Sequence, residues 1–358
     1  MGSLVDRLSP LAGHKVLVTG MSGFKGTWLS LWLRELGAEV IGLSLEPETS
    51  PSLFEVTGLN DFCQHIILDI RRRDQIVDCV RKVSPSVVFH LAAQPLVLRS
   101  YDEPLETFDV NITGSLNVLE AIRQSSSVRA LVYVTSDKCY RNDESGRRYS
   151  EEDALGGLDP YSASKAAADL LFTSYCASFF ADRDEFGAVS VRSGNVVGGG
   201  DWSTDRLLPD CVRALKSNLP IILRNPDSVR PWQHVLDPLA GYLMLAADLV
   251  CGSSSRRGAW NFGPDAASFR TVEEVARLAI HRWGAGEIVI EQNSNAGHEA
   301  RLLMLNSSKA RAELGWTPQL DFESAVTSSV NWYRKFQSGA DAFDLIRSEI
   351  AGYMRGFK

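Results

Sequence analysis

Residues 16–36, VLVTGMSGFKGTWLSLWLREL, decide the fold. The run VLVT is short and apolar, as a strand buried on both faces must be. Gly20, Gly23 and Gly26 follow, and then Trp28, Trp32 and Leu36 recur at i, i+4 and i+8, on one face of a helix. A strand that turns over glycines into a helix aims the helix N–H groups at an anion. One glycine permits the turn, another lets a pyrophosphate approach the backbone, and a third packs helix on strand. The spacing is GxxGxxG, and at this position it reads as a dinucleotide site.

Outward from that unit the chain alternates. Strand candidates fall at residues 14–19, 39–43, 66–69, 87–91, 131–135 and 188–192, with helical patterns between them, notably 105–123 and 161 to about 180. Strand, helix, strand at this spacing predicts an α/β, Rossmann-type, doubly wound parallel sheet. After about Asn195 the texture changes to loops rich in Gly, Pro and Asn, such as GGGDW (198–202) and RNPDSVRPWQH (224–234). The reading is a dinucleotide-binding unit over 11–196 plus about 234–264. A smaller mixed α/β lobe takes 197–233 and 265–358. A partner for the adenine ribose belongs near the end of the second strand, where Ser44 is the candidate. Asp69, after the third strand, either accepts from an adenine amine or caps the strand end.

Composition narrows the class. Of 358 residues, 44% are apolar and 23% charged, which excludes a disordered chain. A net charge of −7 argues against a nucleic-acid partner. Six cysteines are scattered without a CxxC pair, as reduced thiols of a cytoplasmic protein are, and no metal site is expected. The opening MGSLVDRLSP has no apolar core of a signal peptide, and no run reaches the length of a membrane span.

PYSASK places Tyr161 and Lys165 four residues apart on one helix face. An ammonium beside a phenol favours the phenolate and is expected to lower the Tyr161 pKa, suiting it to take a proton from a sugar hydroxyl. Upstream, LVYVTSDKCY puts Ser136, Asp137 and Lys138 at the carboxyl end of a strand, where open α/β sheets bind ligands. Ser136 is placed to bond the same hydroxyl as Tyr161. His90, inside an apolar strand, reads as a packed residue.

VTGMSGFKG, FHLAAQPLV, NITGSLNVLEA, VTSDKCY, DPYSASK, VRSGNVVGGGDW, RPWQHVLDPLAGY and WNFGP together resemble the extended short-chain dehydrogenase/reductases. Within that family they are similar to the CDP-glucose 4,6-dehydratase branch, from about Gly13 to about Trp332. The resemblance implies NAD as cofactor. Gly20, Gly23 and Gly26 would cradle its pyrophosphate, with Ser22, Phe24 and Lys25 in the same loop. Asp69 and Ile70 would lie beside the adenine, and Leu91, Ala92, Ala93 and Gln94 would line cofactor or sugar. Tyr161 would be the base, Lys165 its partner, Ser136 the catalytic hydroxyl and Asp137 the acid. Lys138 stands where the dTDP-glucose and GDP-mannose branches carry Glu, so it is the expected base at C5. Asn195 matches a substrate-pocket residue.

The implied reaction is a lyase reaction. CDP-glucose is oxidised at C4, loses water across C5 and C6, and receives the hydride back at C6, giving CDP-4-keto-6-deoxy-D-glucose for deoxysugar and surface-polysaccharide synthesis. Arg206, Arg224, Arg230 and Arg301 are the candidate diphosphate ligands, and His298 a candidate ribose contact. The helices at 105–123 and 161–180 resemble those that pair subunits in this family, so a homodimer or homotetramer is expected. Three alternatives are a 4,6-dehydratase of another nucleotide sugar, a sugar-nucleotide 4-epimerase and a non-catalytic NAD sensor. Asp137 speaks against the epimerase, and the intact Tyr161–Lys165 pair against the sensor.

Overall fold

The computed structural model describes residues 3–253, 256–291 and 303–357. Its centre is a seven-stranded parallel sheet. In chain order the strands are β1 (Lys15–Thr19), β2 (Glu39–Ser44), β3 (Gln64–Ile67), β4 (Val87–His90), β5 (Ala130–Val134), β6 (Gly187–Arg192) and β7 (Gly258–Asn261). They lie side by side as β7-β6-β5-β4-β1-β2-β3. The order reverses at β1, the switch point where open sheets bind ligands. Six strands are those the sequence indicates, the third moved back by two residues. The seventh, GAWN, is too short and too near the Gly-rich chain around it to have stood out.

Alternation along each strand builds a layer on either face. Val16 and Val18 of β1, with Phe89 and Val132, join a core beneath Trp28 and Trp32 of α1 (Phe24–Glu35) and Leu239, Tyr242 and Leu243 of a later helix. Leu17, Val88 and Leu131 face the other way, against α2 (Arg73–Val83), α3 (Ser115–Arg123) and α4 (Pro160–Tyr175). Period-two side chains on buried parallel strands require this split.

The two long helical patterns are not continuous α-helices. Residues Asp109–Gly114 form a π-helical segment before α3, and Cys176–Phe180 another after α4. At the first, Gly114 sits where a Cβ would come within 2.6 Å of the Ile70 side chain, so the segment is drawn tightly onto the sheet edge.

Beyond β6 the second lobe packs α5 (Leu207–Lys216), α7 (Val272–Trp283) and α8 (Phe322–Gln337) around Leu208, Cys211, Trp232, Val275 and Val326. Between them in sequence, α6 (Leu236–Val250) returns to the sheet. Helix α9 (Ala342–Gly356) also returns: the Tyr353 ring meets Trp32 of α1 edge-on at 5.6 Å. Among the described residues no helix is long and apolar enough to cross a membrane.

Candidate active site

The turn from β1 into α1 is sterically dictated. Gly20 has φ +75°, and a Cβ there would lie 2.8 Å from the Ala92 nitrogen. A Cβ on Gly26 would lie 2.0 Å from the Gly20 carbonyl oxygen, so helix and loop touch. The N-cap of α1 is Gly23, and no side chain caps the helix. Its first-turn N–H groups therefore face a cradle without a resident acceptor from a cap, which fits a dinucleotide pyrophosphate. Thr19 Oγ1 accepts from the backbone of Leu91 and of Ala92, at 3.2 Å each, and ties the half-buried 91–93 segment to that cradle. His90 bridges Thr19 (2.7 Å) and Ser115 (3.0 Å), and burial pushes its pKa down to about 3. It is a packed strand residue.

The neighbouring candidates are held by the protein itself. Ser44 Oγ accepts from the Ser22 N–H at 3.2 Å and bonds His65 Nε2 at 2.7 Å, while Ser22 Oγ donates to the Leu45 carbonyl. Asp69 is bonded within the turn that follows β3. Its carboxylate takes the Arg71 N–H (2.9 Å) and guanidinium (2.6 Å), which hold its pKa below the ordinary carboxylate value. The Ile70 carbonyl accepts from Asn117 Nδ2 at 3.0 Å. Gln94 is buried, and its amide group donates to Thr107 Oγ1 (2.8 Å) and the Leu96 carbonyl (3.0 Å), shaping the loop.

The acid–base group gathers at the carboxyl ends of β5 and β6. After β5, Ser136 opens a 3-10 turn, Asp137–Cys139, by accepting from the Lys138 N–H at 3.2 Å. Its hydroxyl donates to Asp137 Oδ1 at 3.0 Å. Opposite stands α4, capped by Asp159, with Pro160 in its first turn and Ser100 Oγ accepting from the Tyr161 N–H at 3.2 Å. Ser136 is the polar side chain that pulls on the Tyr161 phenol. The helix therefore delivers Tyr161 to the turn that carries Asp137. Ser136, Asp137, Tyr161 and Lys165 are all buried, and Lys138 is half-buried.

The lowered phenol pKa argued from the YxxxK spacing is not found. Burial outweighs the pull of Ser136 and Arg206 and pushes Tyr161 up to about 12. The same burial lowers Lys165 to about 8. Beneath them lies a buried ion pair that the sequence did not announce. Asp169, one turn after Lys165, accepts from Arg192 Nε (2.8 Å) and Nη2 (2.9 Å). It also takes Thr135 Oγ1 at 2.8 Å and Ser190 Oγ at 3.2 Å, and Arg192 Nη1 donates to Tyr140 OH at 2.6 Å. One carboxylate thus binds α4 to the ends of β5 and β6.

Ser193, Gly194 and Tyr242 also belong to the centre and were missed. Ser193 and Gly194 directly follow β6, so the strand-end rule would have found them; Tyr242, inside an apolar helix, carries no local signal. A Cβ on Gly194 would fall 1.9 Å from Asp137 Oδ2, so only glycine admits the carboxylate. Asn195 follows with φ +50°, its carbonyl accepting from Gln233 N–H at 3.2 Å.

The arginines separate. Arg206 pairs with Asp201 at 2.9 Å and lies within electrostatic reach of Tyr161, nearer the acid–base group than its place in the second lobe suggested. Arg230 is buried on a strand, donating to the Val229 carbonyl at 3.1 Å, and Arg224 is exposed. His298 and Arg301 fall outside the described residues.

With that geometry in hand, the likenesses to known proteins are specific. Residues 17–329 match the family model described as GDP-mannose 4,6 dehydratase. The chain is 42% identical, over 96% of both chains, to CDP-glucose 4,6-dehydratase of Salmonella typhimurium. It is 26% identical to CDP-paratose 2-epimerase of Salmonella typhi, covering 89% of this chain and 98% of that one. Among solved structures it resembles the NAD complex of Thermus thermophilus UDP-glucose 4-epimerase. That match has TM-score 0.77 and 26% identity, and covers 89% of this chain and 99% of the other.

Proposed function

The chain belongs to the GDP-mannose 4,6-dehydratase family, and from that premise we propose that it dehydrates CDP-D-glucose to CDP-4-keto-6-deoxy-D-glucose. The observation that carries the reaction type is the buried Asp137 carboxyl beside Ser136 and Tyr161, since exchange of a proton and hydride at C4 alone needs no such acid. The nucleotide choice rests on the 42% identical CDP-glucose enzyme.

The cofactor we assign is NAD, in the cradle of Gly20, Ser22, Gly23, Phe24, Lys25 and Gly26; when bound it accepts hydride from C4 and returns it to C6. Tyr161 takes the proton of the 4-hydroxyl, with Ser136 bonding the same oxygen. Lys165, as the ammonium, favours the phenolate that this requires. Asp137 gives its proton to the departing 6-hydroxyl. We assign the C5 proton to Lys138 on the same turn. Burial keeps water from the ketone and strengthens each of these interactions. Arg206, Arg230 and Arg224, with Arg301, are the proposed diphosphate ligands; Asn195 and His298 are proposed to face the substrate.

The unit that binds NAD is proposed to be 11–196 with about 234–264, and the nucleotide-sugar lobe 197–233 with 265–358. We further propose a cytoplasmic homodimer or homotetramer. Leu105 (84% exposed), Leu170 (57%) and Phe179 (49%) leave an apolar face on the 104–123 and 160–180 helices, as a subunit contact would need.

The test is incubation of the purified protein with CDP-glucose and no added reductant, followed by mass spectrometry. Loss of one water supports the proposal. An isomer of unchanged mass would move the reading to an epimerase, and water lost only from dTDP-glucose, UDP-glucose or GDP-mannose would overturn the nucleotide choice.

A further inference from the structure

Gln233 lies on a short strand, Gln233–His234, that runs parallel to Val196–Val197 beyond the end of β6. It is fully buried. Its side-chain amide donates to the Gly194 carbonyl at 2.9 Å and to the Phe262 carbonyl at 3.0 Å. Its main-chain N–H donates to the Asn195 carbonyl at 3.2 Å. Only the NH2 end of a carboxamide can face two carbonyls, so the amide has one orientation here. Gly194 and Phe262 lie just past β6 and β7, so one side chain closes both strand ends. Among the described residues its Oε1 has no partner, a cost that an apolar side chain at this position would not carry. Ser193 is anchored separately: its hydroxyl accepts from Lys25 Nζ at 3.1 Å and bonds Tyr242 OH of α6 at 2.7 Å.

We propose that Gln233 is a positioning residue for the elimination step: it holds the Gly194–Asn195 turn against the Asp137 carboxyl. The inference rests on the dehydratase reading and deepens it. Gly194 borders Asp137 so closely that a Cβ would lie 1.9 Å from Oδ2, and the Asp137 N–H donates to the Ser193 carbonyl at 3.4 Å. A shift of the Gly194 peptide therefore moves the wall on which the carboxyl rests. Asn195 has φ +50°, a left-handed conformation that few side chains tolerate, so the turn needs support from outside. Gln233 supplies it by taking the carbonyls of both turn residues. Its bonds go to the ends of β6 and β7, whereas Tyr161, which takes the C4 proton, stands on α4. Loosening the turn should slow the step that needs Asp137 and spare the oxidation at C4.

Gln233→Met, of similar length and without the amide, tests this in the full chain, with Ser307→Ala as the control. The Ser307 hydroxyl accepts from the Gly263 N–H at 2.8 Å, so its loss loosens the end of β7 without touching Gly194. Protein loaded with NAD is held in excess over CDP-glucose and quenched at intervals. Mass spectrometry separates the 4-ketone that still carries its 6-hydroxyl, lighter by a pair of hydrogens, from the product, lighter by a water. For Gln233→Met we expect elimination roughly 10- to 100-fold slower and oxidation within about threefold of wild type, so that the 4-ketone builds up. Ser307→Ala should pass it on as wild type does. Amide hydrogen exchange over residues 136–139, measured without substrate, should quicken about tenfold in Gln233→Met and not in Ser307→Ala. Equal slowing of both steps in Gln233→Met overturns the proposal, because a general loosening of the fold does that. Equal build-up in Ser307→Ala, or unchanged exchange at 136–139 in Gln233→Met, overturns it too. Should Gln233→Met not fold, Gln233→Asn, which keeps the amide one methylene short, is read by the same ratio of steps. A wild type that leaves CDP-glucose unchanged overturns the dehydratase reading instead, and the exchange measurement still decides whether Gln233 holds the turn.

Discussion

At the carboxyl ends of β5 and β6, Ser136, Asp137, Tyr161 and Lys165 are each less than a tenth exposed, and the Ser136 hydroxyl donates to Asp137. In the second lobe Arg224 stands in solvent, and Arg206 is a part-buried cation already paired with Asp201. Both regions hold charged groups, but they hold them in different media. A buried group acts at low effective dielectric and tolerates little displacement, whereas an exposed one is screened. Substitutions at the strand ends should therefore alter turnover, and those in the lobe should alter affinity.

The largest expected effect is at Tyr161. Tyr161→Phe keeps the ring in its pocket and removes the proton acceptor, so kcat on CDP-glucose should drop about 10³-fold with the melting temperature nearly unchanged. Asp169→Asn should act through the scaffold instead. It leaves Arg192 buried opposite a neutral amide, costing about 3 kcal/mol of stability, readable by urea denaturation. Gly194→Ala sharpens the contrast, since the new methyl group must push the Asp137 carboxylate aside. A loss of roughly 10²-fold in kcat with little change in KM is expected from steady-state kinetics.

A pH profile probes the same region. Lys165 must carry a proton to favour the phenolate. With its pKa lowered to about 8, activity should be full below that value and fall as pH rises through it, tending to tenfold per unit. The smallest effect belongs to the exposed lobe. Arg224→Ala should raise KM only a few-fold, by about 0.5 to 1 kcal/mol of screened attraction, and leave kcat alone. A large fall in kcat there would erase the distinction between the two regions.

How far the sequence could be read follows the same division. The β1–α1 turn was legible because Gly26 is demanded by Gly20, six residues before it, and five of the six strands because burial leaves them largely apolar; β3, QHII at the sheet edge, is the exception. Ser136, Asp137 and Tyr161 were legible because each follows a strand end or opens a helix. Long-range contacts were not. Asp169 and Arg192 are 23 residues apart, Lys25 and Ser193 168 apart, and neither pair leaves a local pattern. The phenol shift was misjudged because the i, i+4 spacing reports the neighbouring ammonium but says nothing of burial, and burial dominates. Asp69 bonds Arg71, two residues on, in the RRR run at 71–73.

The central claim is that one buried site oxidises C4, eliminates water and returns the same hydride to C6. CDP-glucose deuterated at C4 tests it most directly. The account expects a product lighter by one water that retains the deuterium, now on C6 by NMR. Deuterium lost to solvent, or kept at C4 in a product that has lost no water, would contradict it.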